Sequence, residues 1–294
     1  MEKILKPKIT FKFWLRNLLW RHLIGLFVVV FSIFPLLWVA SAAFDEVGQL
    51  STQTLIPKFR GLENFRMLFS NPNNPFTTWI RNSLVVASVA AILQILIGAS
   101  AAYALSRYRF KGRKVMLSSI VLVQMFPQLL AATSIYLMIN TFGKSFAFLG
   151  PGHQIPLILI FTGSALGINT WMLKGFFDTV PTEIDEAARV DGAGHFIIFI
   201  GIILPLVIPV LVVNFVLSFI SLLNEYLITS VILGLGGKSA TVAVGLQQFI
   251  IGQYGKNWGP FAAGALIATI PVLLLFIFLQ KWLVSGLVSG STKG

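Results

Sequence analysis

FIIFIGIILPLVIPVLVVNFVLSFISL, residues 196–222, runs for 27 positions without a charged side chain. About 20 consecutive apolar residues are enough for a helix to cross the hydrocarbon core of a bilayer. The segment therefore reads as a membrane span. Composition agrees: the 294-residue chain is 56% hydrophobic and 11% charged, with a mean hydropathy of +0.85. A soluble domain carries about a quarter charged residues, so the bilayer must be the solvent for much of this surface.

Working outward from 196–222, further apolar runs cover 22–44, 83–105, 115–139, 155–172 and 261–279. Six spans are expected, in an all-α membrane bundle that forms one unit with both termini on the same side. The Ala40-Ser41-Ala42 tripeptide imitates a signal-peptide cleavage site. The run before it, however, exceeds the ~7–15 residues of a signal h-region, and it is read as an uncleaved first helix. Pro35, Pro127, Pro205, Pro209 and Pro271 interrupt the runs. Carbonyls freed there need partners from neighbouring helices or cavity water.

The net charge is +12, from 22 Lys and Arg against 10 Asp and Glu. In a soluble protein this would raise nucleic acid as a partner. Here the basic residues sit just outside apolar runs, as in the cluster Arg107, Arg109, Lys111, Arg113 and Lys114, and no nucleic acid is expected. The N-terminal tail, that cluster, the segment 174–189 and the C-terminal tail together hold 15 Lys and Arg, and the opposite connections hold 7. Both termini are thus expected to be cytoplasmic. With no cysteine there is no disulfide or thiolate chemistry. His22, His153 and His195 lie in three separate segments and offer no metal-ligand spacing. Gly236-Gly237-Lys238-Ser239 lacks the earlier glycine of a phosphate-binding loop, having Ile232 there. No catalytic residue and no metal site are expected in the chain.

The connection between the fourth and fifth spans is rich in acids and alanine: Thr182, Glu183, Ile184, Asp185, Glu186, Ala187, Ala188 and Arg189, followed by Val190, Asp191, Gly192, Ala193 and Gly194. It reads as a short helix with Thr182 as its cap, acids in the first turn, and Asp185 and Arg189 as an i,i+4 pair. Gly192 and Gly194 end it through the left-handed conformation. Ile184, Ala187 and Ala188 share a side and would let another protein surface approach closely.

At this point a resemblance becomes specific. Glu186-Ala187-Ala188, then Gly192, Ile202 and Leu204-Pro205 resemble the EAA motif of the permeases of binding-protein-dependent ABC importers. The likeness covers nearly the whole chain and is greatest to the smaller permease subunit of maltose and maltodextrin importers. It includes Ala101-Ala102-Tyr103-Ala104 leading to Arg107-Tyr108-Arg109-Phe110, Gln124-Met125-Phe126-Pro127, the stretch 242–249, and the tail from Lys281-Trp282 to Lys293-Gly294.

This resemblance implies a type I ABC importer permease in the bacterial inner (cell) membrane, importing a carbohydrate. The cytoplasmic tail would cover 1–21, the transmembrane domain 22–285 with coupling helices at about 182–200, and a second cytoplasmic tail 286–294. Glu186, Ala187, Ala188, Gly192, Leu204 and Pro205 would dock an ATPase, and Ser291, Thr292, Lys293 and Gly294 would reach between the two ATPase subunits. Gly252, Gln253, Tyr254, Gly255, Lys256 and Asn257 would probe an extracytoplasmic sugar-binding protein. The implied partners are that protein, a second, non-identical permease, two ATP-binding subunits and membrane lipid. ATP and Mg would be bound by the ATPase, with no cofactor in this chain and no catalysis of its own.

Gln94, Gln124, Gln128, Asn169, Asn214, Asn224 and Glu225 are polar positions within or at the ends of spans. They read first as interhelical hydrogen-bonding groups and second as a translocation path. The resemblance implies that the larger partner permease makes most sugar contacts. Other oligosaccharides or a sugar phosphate are the alternatives as cargo. An ion-coupled secondary carrier is the rival class, but only Glu225 offers an ionisable relay and no repeat is evident.

Overall fold

The computed structural model describes residues 11–45, 61–70, 75–251 and 257–291. These form helices α1 (Phe11–Asn17), α2 (Leu19–Phe44), α3 (Glu63–Ser70), α4 (Phe76–Arg107), α5 (Arg113–Gln124), α6 (Gln128–Ser145) and α7 (Gln154–Gly163). Then follow α8 (Ile168–Phe177), α9 (Thr182–Val190), α10 (His195–Ile197), α11 (Leu204–Leu223), α12 (Leu227–Leu233), α13 (Val242–Gln247) and α14 (Trp258–Ser291). Four stretches are long and apolar enough to cross a membrane: Leu19–Phe44, Phe76–Arg107, His195–Leu223 and Trp258–Trp282. A fifth arises if α7 and α8, bent by 45° across their junction, count as one.

The third span expected over 115–139, with Pro127 interrupting it, is two helices, α5 and α6, separated at 125–127. Pro127 carries no N–H and its ring disfavours helical backbone in the residue before it, so the hydrogen-bond ladder stops there. The expected fourth span breaks as well, at the 3₁₀ turn Ser164–Leu166 and Gly167. The fifth is continuous but not uniform, for Ile198–Ile203 is a π-helical stretch leading directly into Leu204 and Pro205. Pro205 cannot donate to the carbonyl of Gly201 four residues back, and widening the turn removes the clash of its ring.

Helix α4 is the hub, packing along α11, α8 and α7. Its buried side carries large residues at the N-terminal end, Phe76 and Trp79, and small ones further along, at Ala87, Ala90, Ala91 and Ala102. Alanines allow the close backbone approach that binds helices when lipid supplies no hydrophobic drive. By contrast α2 is buried only at Ser41, Ala42 and Ala43, near its C-terminus, where it meets α3 and α14. Asn64 of α3 ties that end, its Nδ2 donating to the carbonyls of Ala43 (3.0 Å) and Asp45 (2.8 Å).

The N-terminal end of α4 holds a loop in the same way. Trp79 Nε1 donates to Gly237 O (2.8 Å), and Asn82 Nδ2 donates to the carbonyls of Lys238 and Ala240 (both 2.9 Å). The Val242 amide donates to Ser83 Oγ at 2.8 Å. The glycine-lysine stretch 236–239 is thus fastened to α4 through its own carbonyls, which gives it a structural employment unrelated to phosphate.

Candidate functional site

At the other end of α4, Arg107 closes the helix and meets α9. Its Nε lies 3.0 Å from Asp185 Oδ2, with the two side chains only 4% and 3% exposed. The guanidinium also donates to the carbonyls of Phe177 (3.2 Å) at the end of α8 and Val180 (3.0 Å) in the connection to α9. Tyr103, one turn earlier on α4, donates its hydroxyl to Asp185 Oδ1 at 3.2 Å. One cation thus gathers α4, α8 and α9 at a point. A buried carboxylate needs such a partner, since an unpaired charge there is strongly destabilising.

The expected Asp185–Arg189 pair is therefore not formed. Arg189 is exposed, and an exposed i,i+4 pair contributes only about 0.3–0.5 kcal/mol, too little to compete with the buried site. Thr182 does not cap α9 either. It is the first helical residue, after Pro181, and no side chain caps this end. Beside the pair, Asp178 accepts from Ser106 Oγ (2.6 Å) and from Lys174. Partial burial raises the Asp178 pKa, but the hydrogen bonds from Lys174 and Ser106 outweigh it and hold the group below the usual carboxylate value.

Asp185 turns α9 so that Ile184 and Ala188 pack inward against the cluster of Tyr103, Phe177 and Ile198. The side expected to face a partner is therefore divided, with Ala187 alone of the three on the open surface. That surface carries Glu183, Glu186, Ala187, Arg189 and Val190, the last 88% exposed. Helix α9 ends in a Schellman turn. The Ala193 amide donates to Ala188 O (2.9 Å) and the Gly192 amide to Arg189 O (3.0 Å), the paired bonds of that motif. Gly192 has φ +84°, and a Cβ there would meet nothing within 4 Å. Its requirement is conformational, not steric. Gly194 does not share it, having φ −72°.

Of the remaining motif positions, Leu204 joins the same buried cluster and Pro205 follows the π stretch at the start of α11. His195 packs edge-on against the Tyr108 ring at 5.9 Å. Of these positions Glu186 and Ala187 are exposed on α9 and Gly192 ends that helix, while Ala188 and Leu204 pack into the buried cluster behind it. Gly252 to Lys256 and Thr292 to Gly294 lie outside the described residues, while Ser291 ends α14. Asn257 donates its amide to Phe249 O at 2.9 Å. Sequence reasoning missed Arg107 as the partner of Asp185. In the sequence Arg107 is the first of the five basic residues between 107 and 114, and no local signal pairs it with Asp185.

The intramembrane polar residues separate into two groups. Gln94, Gln124, Asn169 and Glu225 line one cavity of about 480 Å³ bordered by α4, α5, α6, α7, α8, α11 and α12. Gln94 Nε2 donates to Phe161 O (2.8 Å) and Ser164 Oγ (3.0 Å), and Asn169 Nδ2 to Ser218 Oγ (3.2 Å). Glu225 accepts from the amides of Ile228 and Thr229 and from Thr229 Oγ1, capping α12. Asn224 instead bonds Ile220 O within its own helix (2.8 Å). Asn214 is 1% exposed with both amide atoms unpaired among the described residues, so it supplies no interhelical bond. The side chain of Gln128 lies outside the described residues. There is no group of three or more metal-ligand side chains among the described residues.

Residues 94–289 match the family described as binding-protein-dependent transport system inner membrane component. The chain is 41% identical to the maltodextrin transport system permease protein MdxG of Bacillus subtilis (strain 168), over 92% of this chain and 95% of that protein. It is 36% identical to the galactooligosaccharides transport system permease protein GanQ of the same organism, over 95% and 96%. In fold it is similar to a chain of a bacterial ABC transporter involved in import of the acidic polysaccharide alginate, at 19% identity, with a TM-score of 0.72 and coverage of 95% and 100%. A non-enzymatic, multi-pass component of the inner membrane, the chain belongs to the family of binding-protein-dependent ABC importer permeases, among the relatives of the maltose, maltodextrin and oligosaccharide permease subunits.

Proposed function

We propose that this chain is one of two non-identical pore-forming subunits of an ATP-driven oligosaccharide importer, with maltodextrins as its cargo. The observation that carries the reading is the Arg107–Asp185 junction, which fixes an exposed Glu186–Ala187 surface to the end of a membrane helix. A surface held this way can pass a push from an ATPase into α4, because α9 cannot shift without dragging Arg107. ATP binding would close the ATPase pair, α9 would move with it, and the bundle would rock from inward-open to outward-open. An extracytoplasmic binding protein would then deliver its sugar.

In this reading the chain crosses the membrane six times, with α5–α6 and α7–α8 as broken third and fourth spans and both termini cytoplasmic. Residues 1–21 and 286–294 form the tails, and residues 22–285 the transmembrane domain. Residues 252–257 face the binding protein, and the C-terminal residues 291–294 face the ATPase pair. Transport of galacto-oligosaccharides is the second reading, supported by the 36% identity to GanQ across 95% of this chain.

The test is gentle solubilisation of membranes bearing the tagged chain, followed by mass spectrometry of what co-purifies. The expected result is a second permease and an ATPase in stoichiometric amounts, and vesicles of that complex that accumulate labelled maltotriose when supplied with binding protein and ATP. Recovery of the chain alone would overturn the reading. Uptake of galactotriose in place of maltotriose would move the cargo to the second reading.

A further inference from the structure

The breaks in α5–α6 and α7–α8 are far apart in sequence and border the same space. Gln124 ends α5 at the first break, and Ser164 opens the 3₁₀ turn at the second. Gln124 lies directly against Gly167, where any side chain would displace it. Gln124 and Ser164 line the cavity of about 480 Å³ described above, together with Asn169, Ser218, Ser221 and Glu225. Gln94, close to the middle of α4, is buried at its edge.

Irregular backbone at membrane depth is tolerated only where protein or a water-filled cavity satisfies it, and paired discontinuous helices mark binding sites in transport proteins. Polar side chains in such a place are costly unless they are used. Two here are not used by the fold. The Gln124 amide and the Ser221 hydroxyl make no hydrogen bond among the described residues. The volume falls within the ~300–1,000 Å³ of small-molecule sites.

The chemistry of the lining selects among guests. It presents amides and hydroxyls that both donate and accept, which match sugar hydroxyls. Among the described lining residues there is one carboxyl group, Glu225, and no Lys, Arg or His. A phosphate or uronate would enter next to that carboxyl group with no cation from this chain to receive it.

We propose that the cavity between the two helix breaks is a contact site for a neutral oligosaccharide, with Gln124, Ser221 and the Asn169–Ser218 pair facing its hydroxyls. This chain, and not only its partner permease, then reads the ligand and disfavours acidic sugars. The proposal rests on the importer reading given above.

The absence of native cysteine in this chain makes a direct test available. Gln124→Cys and Ser221→Cys are placed singly in the complete complex, and their labelling by a water-soluble thiol reagent is followed with and without sugar. The sugars are maltotriose, galactotriose, glucose 6-phosphate and triguluronate, and uptake of each by wild-type vesicles is measured in parallel. The expected result is that the neutral trisaccharide the vesicles transport slows labelling at both positions, while Ser100→Cys, on α4 outside the cavity, is unaffected. Losing one hydrogen bond to an uncharged group should also raise the KM of a Gln124→Leu complex for transfer from liganded binding protein about fivefold to tenfold. Transport of that sugar with no slowing at either cysteine overturns the site and leaves the importer reading standing. Equal protection by the acidic sugars overturns the neutral selectivity. Failure of wild-type vesicles to transport any of the four refutes the importer reading, and the site with it.

Discussion

Replacing Asp185 by Ala leaves the Arg107 guanidinium, 4% exposed, with no counter-charge at the junction of α4, α8 and α9. Removing one member of a buried ion pair costs about 3–5 kcal/mol. The bonds from Arg107 to the carbonyls of Phe177 and Val180 survive the change, so the loss falls on the attachment of α9 and not on the end of α8. Opening of α9 should then become more frequent by about two to three and a half orders of magnitude. Hydrogen exchange by mass spectrometry on the assembled complex reads this directly, through peptides covering residues 178–195. Arg107→Met should speed the same peptides, and those at the end of α8 as well. The double variant Asp185→Ala with Arg107→Met should recover part of the loss, because neither charge is then stranded. Unchanged protection in both single variants, or a double variant whose loss equals the sum of the two, would refute the coupling of these residues.

Four further outcomes are expected. Gly192→Val forces a β-branched residue to φ +84°, at a cost of roughly 1–3 kcal/mol; uptake should be lost while the chain still inserts, and Gly192→Asn should be milder. Glu186→Lys reverses charge on an exposed position, so helicity should persist while co-purification of the ATPase and uptake both fail. Asn82→Ala leaves the Lys238 and Ala240 carbonyls without this donor, costing about 1–3 kcal/mol, and proteolysis within 236–242 should accelerate. Because the folded Asp178 pKa lies below its ordinary value of 3.8, its stabilising contribution is full above that value and is lost as pH falls through the lowered one. Asp178→Asn should flatten this part of the acid side of the thermal stability profile.

Much of the bundle was legible because the bilayer imposes a length on apolar runs, and 83–105, 196–222 and 261–279 each lie inside one long helix. The breaks were harder to read. Pro127 interrupts a run while Pro35, Pro209 and Pro271 sit inside helices, and the residue alone does not say whether neighbours will satisfy the freed carbonyls. The break at 163–167 contains two glycines and no proline, and hydropathy is blind to it.

The coupling segment shows the same division. Its turn at Gly192 follows from local backbone chemistry and was readable. The orientation of α9 was not, because it depends on Arg107, 78 positions before Asp185. A local reading offers Arg189 first, being four residues away. The polar cavity was half visible: Gln94, Gln124, Asn169 and Glu225 stood out as costly positions, but their convergence is a property of helix packing.

The π stretch Ile198–Ile203 absorbs length without changing the facing of what comes after it. One π turn takes up a single extra residue, whereas a residue gained or lost in regular α-helix turns everything beyond it by about 100°. Removing Gly201 would therefore let the stretch close to ordinary helix and leave Ser218 toward Asn169 and Ser221 on the cavity, while removing one residue after Ile203 would carry both away like a clock hand. The wide turn thus uncouples the two ends of the span: its docking side can gain or lose a residue there without altering which side chains reach the cavity, about 20 residues away.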